Sequence, residues 1–303
     1  MQNELYEIFR RNFPFIVREE GTALAILGHE ANKIIEKRNE QDKLIGVSVI
    51  NQNTILMLCV DREYRNQGIG TELLAMTERL IREAGFTEIN VGVEFDYLMP
   101  GVPTDQPYYQ SKNANLYPDI DDMASNFFTK RGYVHSWDCD CFDMRFQLRD
   151  FKDVNNDTGV IADGITYRWA TLDDLEKVCR CTDDACREFT QYYQNRELYG
   201  ENSAGKVLIA AVGNEVAGTL IVSAETEAKD LGSVGCTTVR PAYQGRHIAV
   251  NLVTLGTKYL KDIGLKEAYL GYTYTGLDHL YGYAGYKICI YYMMAKKRFE
   301  NAE

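Results

Sequence analysis

The chain has 303 residues, of which 45% are hydrophobic and 25% charged, a composition typical of globular proteins and a length that suggests two domains. Its 44 acidic side chains outnumber its 33 basic ones, and the formal net charge of −11 argues against an extended nucleic-acid or anionic-membrane surface. We therefore expect a neutral or cationic small-molecule partner, with no nucleic acid and no membrane.

The N-terminal stretch MQNELYEIFRRNFPF lacks the apolar core and the small-residue cleavage site of a signal peptide. No apolar run approaches the roughly 20 residues that span a bilayer. These features favour a cytoplasmic protein. The eight cysteines show neither zinc-site nor disulfide-framework spacing, so we expect reduced, structural thiols and no metal.

An internal repeat organises the chain. The aligned positions are Val60 with Val239, Tyr64 with Tyr243, Ile69 with Ile248, Leu73 with Leu252, and Gly85 with Gly264. In each copy a β-rich run meets a polar turn, then a helix-periodic segment ended by glycine, then a second strand. This order predicts an α/β fold in which each of two domains has a mixed sheet flanked by helices.

In chain order, the first domain is predicted to cover residues 1–152. Its strand ILMLCV leads into the first turn and helix, and a long ordered loop rich in Pro, Asn, Asp and Tyr is expected around 95–122. A short helix, DDMASNFFTKR, and a strand, YVHSWDCDCFDMRF, follow this insertion.

A polar linker is predicted at 153–164 and the second domain at 165–303. This domain begins with a strand that leads into a helix capped by Thr171, with Asp173 and Asp174 in its first turn. The hairpin KVLIAAV-GN-EVAGTLIV comes next, followed by the strand LGSVGCTTV and the second turn.

The two turns carry the predicted binding chemistry. Each joins a strand end to a helix start, so that backbone N–H groups can face an anion such as a pyrophosphate. The candidate residues of the first turn are Val60, Arg65, Asn66, Gln67, Gly68, Ile69 and Gly70. Those of the second are Val239, Gln244, Gly245, Arg246, His247, Ile248 and Ala249.

His247 replaces the middle glycine of the second turn, and Gly245 stands two residues earlier. A glycine is needed there only if the residue adopts a positive φ or if a Cβ would strike the phosphate. If the turn is already the first turn of the helix, His247 can offer its N–H as well as any residue.

The pattern R-x-x-G-x-G of Arg65, Gly68 and Gly70 resembles the acyl-coenzyme A signature of the GNAT acyltransferase superfamily, and the whole chain resembles two such domains in tandem. The resemblance implies acetyl-CoA as a cosubstrate, held where two parallel strands splay apart at a bulge after the signature strand. It also implies an oxyanion contact from a backbone N–H, here at Val239 or Val60.

Members of this family take a general acid from the motif L-Y-x-x-x-G-F/Y, which residues 280–286 match. The resemblance thus assigns the acid to Tyr281, whereas the first copy has Phe128, which cannot donate a proton. Loss of a general acid typically costs roughly 10²–10⁴-fold in rate, more than the change of one loop glycine. We therefore expect the chemistry in the C-terminal domain.

The general base is left open. Asp278 lies three residues before Tyr281 and could bind or deprotonate an amine, or it could be an ordinary acid favoured at a helix N-terminus. His279 is expected to be structural or exposed. Glu225 and Glu227 lie near the expected acceptor entry, where a solvated carboxylate is the default.

Tyrosines cluster on the expected acceptor side, and aromatic faces beside carboxylates suit a cationic, polyol-like ligand. They are Tyr272, Tyr274, Tyr281 and Tyr283, with Tyr97, Tyr108, Tyr109 and Tyr117 in the insertion. The layout is similar to bacterial two-domain enzymes that acetylate glucosamine and glucosaminides. An antibiotic, polyamine or peptide amine is the alternative acceptor, and a noncatalytic acyl-coenzyme A sensor is the alternative class.

Overall fold

The structure is a computed structural model that describes residues 2–92, 98–109, 111, 114–118, 120, 123–152, 164–224 and 228–299. Tyr97, Glu225, Glu227 and nearly all of the predicted linker 153–164 lie outside these ranges. Among the described residues, no helix combines the length and apolar character that a bilayer crossing requires.

The first half of the chain contains four helices and seven strands within the described ranges. They are α1 Gln2–Asn12, α2 Glu20–Leu27, β1 Lys33–Arg38, β2 Leu44–Asn51, β3 Thr54–Val60, α3 Ile69–Glu83, β4 Glu88–Val91, β5 Val102–Thr104, α4 Met123–Thr129, β6 Val134–His135 and β7 Cys141–Gln147.

The second half repeats the same alternation. Its elements are β8 Ile165–Trp169, α5 Leu175–Ala185, α6 Thr190–Tyr193, β9 Gly205–Val212, β10 Glu215–Ser223, β11 Leu231–Val239, α7 Ile248–Asp262, β12 Glu267–Tyr274, α8 Leu277–Tyr283, β13 Lys287–Met293 and β14 Ala295–Arg298. The predicted hairpin is the antiparallel pair β9 and β10.

The chain divides into two compact units. The first comprises Met1–Gln110, Leu116–Cys141 and Ile290–Glu303, and the second comprises Ser111–Asn115 and Phe142–Cys289. These units differ from the predicted ranges 1–152 and 165–303 at two places, because 142–152 belongs to the second unit and 290–303 to the first. The difference arises because strand pairing is long-range, and the residue pattern of a strand does not say which sheet it joins.

Each unit has one mixed sheet. The first has the order β1-β2-β3-β4-β14-β6, with β14 antiparallel to both of its neighbours. In the second, the order β13-β7-β12-β11-β10-β9-β8 places β7 beside β12. The remaining strand, β5, pairs with Tyr291–Met293 inside the first unit. The strand that completes each sheet therefore comes from the other half of the sequence.

The helices α3 and α7 have the same construction. Each has 15 residues and an apolar stripe whose members, such as Leu73 and Leu252, are buried. Gly85 at φ 88° and Gly264 at φ 90° follow them, as the sequence predicts for helices ended by glycine. The next strand starts at Glu88 in one unit and Glu267 in the other. The predicted repeat is therefore a structural repeat.

Candidate active site

Two parallel strands separate in the second unit. There β11 and β12 pair over Leu231–Ser233 and Glu267–Tyr269, and then continue to Val239 and Tyr274. The strand ends therefore diverge at the place where the signature turn begins, and leave a gap with backbone polar groups along its edges. In the first unit, β3 pairs with β4 at Thr54 and Ile55 and likewise continues to Val60.

The N–H and C=O groups of Val239 face this gap. Arg240 donates its N–H to Ala217 O on β10 at 2.9 Å, and successive residues of a strand direct their backbone groups to opposite edges. Val239 O also accepts a hydrogen bond from Gln244 Nε2 at 3.4 Å. The corresponding bond in the first unit runs from Arg65 Nε to Val60 O at 2.9 Å.

Both turns contain two residues with left-handed backbone conformations, at aligned positions. In the first they are Asn66 at φ 62° and Gly68 at φ 86°; in the second they are Gly245 at φ 77° and His247 at φ 58°. Each turn thus uses one glycine and one side-chain-bearing residue, in opposite order. Asn and His are among the residues that adopt this region most readily, which explains the exchange.

His247 does not lie in the first helical turn, contrary to one of the two sequence-based alternatives. It is the N-cap of α7, with φ 58° and ψ 16°, as Gly68 is the N-cap of α3. The first helical hydrogen bond joins Asn251 N to His247 O at 3.0 Å. The N–H groups of residues 248–250 therefore have no acceptor within the helix and point out of its N-terminus.

The space above the loop glycines suits an anion. A Cβ added to Gly68 or Gly245 would have no heavy atom within 4 Å, so the loops are open where a ligand would approach. In the second loop, the Arg246 guanidinium lies 5.8 Å from the centre of the Tyr243 ring and adds a positive charge. The positive end of the helix dipole acts in the same direction.

Tyr281 lies on α8 and is 3% exposed. Its hydroxyl is 3.0 Å from Thr237 Oγ1 on β11, and its ring packs edge-to-face on Tyr286. Burial raises the pKa of Tyr281 to about 12, so that the phenol is protonated at neutral pH and can act as a donor. Sequence analysis singled out Tyr281 but missed its partner Thr237.

The first unit has apolar residues at both positions. Phe128 is 5% exposed and packs edge-to-face on Tyr133 with the ring centres 5.1 Å apart, the arrangement that Tyr281 has with Tyr286. The alignment of Val60 with Val239 places Leu58 opposite Thr237. The difference between Leu58 and Thr237 could have been noticed in the sequence, because the two residues occupy aligned positions two residues before the aligned valines.

Asp278 is 4% exposed at the start of α8, and its Oδ1 accepts the Gly276 N–H at 2.9 Å. This is the contact expected of an acid at a helix N-terminus. The neighbouring His279 is exposed, in agreement with one of the two outcomes expected for it. The structure therefore places Asp278 one helical turn before Tyr281, with one oxygen engaged by the backbone.

The other side of the gap contains a buried carboxylate that sequence analysis did not single out. Asp143 on β7 is 2% exposed and accepts the Tyr272 N–H at 2.7 Å and the Tyr269 hydroxyl. Tyr272 has a left-handed conformation, with φ 54°. Asp143 was missed because β7 precedes the predicted linker and was assigned to the other domain.

Several of the predicted acceptor-side tyrosines are exposed. Tyr274 at the end of β12 is 45% exposed and Tyr283 on α8 is 77% exposed, both in the second unit. In the first unit, Tyr108 and Tyr109 are 52% and 43% exposed, and both backbone N–H groups donate to Asp140 Oδ1 at 2.6 Å. Each unit thus presents phenol rings to solvent.

Comparison with known proteins agrees with this geometry. The model of the acetyltransferase (GNAT) family matches residues 2–98 and 169–286. One similar solved structure contains the glucosamine N-acetyltransferase region of a fungal multi-domain GH3 beta-N-acetylglucosaminidase, which is 19% identical to this chain, with a TM-score of 0.71. The match covers 97% of this chain but only 36% of the length of that protein.

A tandem GNAT protein from the clavulanic acid biosynthesis pathway is 12% identical over all of this chain and 96% of its own length, with a TM-score of 0.69. A GCN5-related N-acetyltransferase from Sphaerobacter thermophilus is 15% identical over 97% of this chain and 91% of its own, with a TM-score of 0.65. No curated protein matches the sequence significantly.

At these identities the solved structures establish the fold alone, and they confirm the predicted tandem layout. The family match is independent of them and covers more than half of the chain, with one matched segment in each half. The chain therefore belongs to the GNAT family of acetyltransferases, and it is an N-acyltransferase with two tandem domains of that family.

Proposed function

We propose that this enzyme transfers an acetyl group from acetyl-CoA directly to the primary amine of a small molecule, and that the reaction takes place in the second unit. The observation that carries the proposal is the hydrogen bond between Tyr281 and Thr237. In the first unit the aligned residues are Phe128 and Leu58, which offer no proton. The second unit thus has a protonated phenol beside the strand gap, whereas the first unit has two apolar side chains at the aligned positions.

Proteins of this family generally use acetyl-CoA as the acyl donor. In the second unit, we propose that the loop holds its pyrophosphate through backbone N–H groups, with Arg246 as a counter-charge. The residues assigned to this role are Gln244, Gly245, Arg246, His247, Ile248 and Ala249. The structure fits this role because the turn is open above Gly245 and the first-turn N–H groups point outward.

The bound thioester would supply an activated acetyl group. The N–H of Val239, directed into the gap, is proposed to stabilise the negative charge that develops on the carbonyl oxygen when the amine attacks. Tyr281 would then donate its proton to the departing sulfur as the carbon–sulfur bond breaks. Asp278 is proposed to bind or deprotonate the acceptor ammonium, a role for which its Oδ2 would serve.

For the acceptor we propose glucosamine or a glucosaminide. The exposed rings of Tyr274 and Tyr283 offer flat apolar faces on which a sugar ring can stack, and the net charge of −11 favours a cationic ligand. A structural neighbour at low identity is a glucosamine N-acetyltransferase region. Antibiotic, polyamine and peptide amines are the alternatives that a substrate panel must include.

For the first unit we propose binding of acyl-CoA without transfer. Its loop has the same two left-handed positions and the same N-cap geometry as the second loop. The proposed contacts are Val60, Arg65, Asn66, Gln67, Gly68, Ile69 and Gly70. Phe128 supports binding without acetyl transfer, because its side chain has no proton to donate to the departing thiolate.

The test is thiol release from acetyl-CoA in the presence of glucosamine, chitosan oligomers, spermidine, an aminoglycoside and a lysine peptide. The proposal predicts release that depends on glucosamine or its oligomers, with the N-acetylated product identified by mass spectrometry. A response to another amine alone would refute the aminosugar assignment. Binding of acetyl-CoA without release for any amine would favour the sensor.

A further inference from the structure

A bulge interrupts β11 beside the acid. Ile221 of β10 pairs with Gly235 and Thr219 pairs with Thr238, so that Leu220 alone faces both Cys236 and Thr237. Cys236 has φ 51°, a left-handed conformation that is unfavourable for a residue with a Cβ. Bulges of this kind redirect the side chains that follow them.

The bulge determines where Thr237 points. Val234, before the bulge, faces α7, because a Cβ added to Gly256 would lie 3.4 Å from Val234 Cγ1. Thr238, after it, faces α5, where its Oγ1 lies 4.0 Å from Cys181 Sγ. In a regular strand these two residues would share a face. The extra residue therefore turns Thr237 away from α5 and toward α8.

The phenol of Tyr193 holds the bulge in place. Tyr193 lies on α6 with 0% exposure and donates its hydroxyl to Cys236 O at 2.6 Å. Its own backbone oxygen accepts the Tyr199 hydroxyl at 2.8 Å, which fixes the segment that carries it. Burial raises the pKa of the Tyr193 phenol well above its usual value, so the group stays a donor.

We propose that Tyr193 is a positioning residue for the acid: by holding Cys236 O it keeps Cys236 left-handed, and it thereby keeps Thr237 Oγ1 in hydrogen-bonding position on the Tyr281 hydroxyl. The inference rests on the proposed role of Tyr281 in the second unit. A strained backbone conformation persists only where surrounding contacts enforce it, and this bond supplies the enforcement.

The first unit has a bulge on the aligned strand but not the left-handed residue. Its β3 shifts register against β2, where Val49 pairs with Met57 and Ile50 with Ile55. Met57 aligns with Cys236 and is not among the left-handed residues of the described chain. The same unit has Phe128 at the acid position and Leu58 opposite Thr237. The left-handed bulge residue and the phenol thus occur together in one unit and are both missing from the aligned positions of the other.

The kinetic test compares Tyr193→Phe in the wild-type and the Tyr281→Phe backgrounds, with acetyl-CoA and glucosamine as the probes. In the wild-type background we expect kcat to fall about tenfold, a part of the loss typical of general-acid removal, with little change in the KM for acetyl-CoA. In the Tyr281→Phe background we expect no further fall, because the acid that Tyr193 positions is gone.

Thr77→Val is the matched control. Thr77 is also fully buried, on α3 of the first unit, and its hydroxyl donates to Ser48 Oγ at 2.8 Å. It should lower thermal stability to a similar extent and leave kcat unchanged. Equal losses of kcat from Tyr193→Phe in both backgrounds would overturn the inference and leave the role of Tyr281 intact. Full activity of Tyr281→Phe alone would overturn the proposed function itself.

A crystal structure of Tyr193→Phe tests the inference without any acceptor. We expect Cys236 to leave the left-handed region and the oxygens of Thr237 and Tyr281 to separate beyond hydrogen-bonding distance. Retention of both features would overturn the inference. If Tyr193→Phe fails to fold, Thr237→Val removes the same bond to the acid from the strand side and should reproduce the tenfold loss of kcat, again only while Tyr281 is present.

Discussion

The two loops place their glycine at different left-handed positions: the glycine comes second in the first loop and first in the second loop. Gly245 and His247 have the same left-handed conformations as Asn66 and Gly68 in the first loop. The sequence alignment predicted two related turns, but it could not show that the glycine had moved to the other left-handed position. That fact depends on backbone dihedral angles, which a single glycine-for-histidine difference does not reveal.

Substitution of Gly245 by alanine should destabilise the second unit by about 1 kcal/mol, because only its φ of 77° opposes a Cβ. Gly235→Ala is the control, since a Cβ at Gly235 also meets nothing within 4 Å and its φ is not left-handed. Urea unfolding of both variants gives the comparison. Equal stability of Gly245→Ala and Gly235→Ala would contradict the dihedral explanation.

The surroundings of Tyr281 also show what a residue pattern can and cannot predict. The motif at residues 280–286 led to Tyr281, and the structure buries this phenol beside the gap. The alignment matches Thr237 with Leu58, but the contact of Thr237 with Tyr281 depends on a bulge, which has no local sequence signature. Asp143 was missed because it lies on an exchanged strand.

At the scale of elements, the turn that leads into α5 is held by an ion pair in which the carboxylate is buried and the guanidinium is half exposed. Asp174 receives hydrogen bonds from Arg168 Nη1 at 2.6 Å and from the Thr171 N–H at 2.9 Å. Thr171 was predicted as the cap; in the structure, the Asp174 carboxylate completes a capping box with it. The guanidinium of Arg168 is the main reason that the pKa of Asp174 is lowered to about 2.

This lowered pKa makes the free energy of unfolding of the second unit depend on pH. The carboxylate of Asp174 has a lower pKa when folded than the usual value near 3.9, so its stabilisation is present above that value and is lost as the pH falls toward 2. Asp174→Asn should cost about 2 kcal/mol at pH 7, and the difference from wild type should fall to about half by pH 3.

The measurement is urea unfolding followed by Trp169 fluorescence in a Trp137→Phe background, so that the signal comes from the second unit. Asp173→Asn, next to Asp174 and exposed, is the control and should show little change. A cost of Asp174→Asn that stays constant between pH 7 and pH 3 would refute the ionic origin of this stabilisation.

At the scale of the whole molecule, the two units were predictable from the repeat, but their composition was not. The aligned helices and the following strands start at corresponding positions, as the sequence indicated. The exchange of β7 and β14 was not foreseen, because local periodicity identifies a strand without identifying its neighbours.

The exchange predicts that the two halves of the chain cannot fold separately. A fragment of residues 1–152 lacks β14, which lies between β4 and β6, and the edge of β4 would be left unpaired. We expect this fragment to lack cooperative thermal unfolding and to show poor NMR dispersion. A fragment extended by a linked copy of residues 287–303 is the control, since it restores the missing strand.

Sharp unfolding of the 1–152 fragment alone, with dispersed spectra, would show that β14 is dispensable for the first unit. Recovery of cooperative unfolding only in the extended fragment would support the exchange.

The most direct test of the central claim is the kcat of Tyr281→Phe beside that of Phe128→Tyr, with acetyl-CoA and the best amine of the panel. If the second unit performs the chemistry, Tyr281→Phe lowers kcat by roughly 10²-fold or more with a nearly unchanged KM for acetyl-CoA, and Phe128→Tyr leaves kcat as it is. An unchanged kcat for Tyr281→Phe would contradict the account.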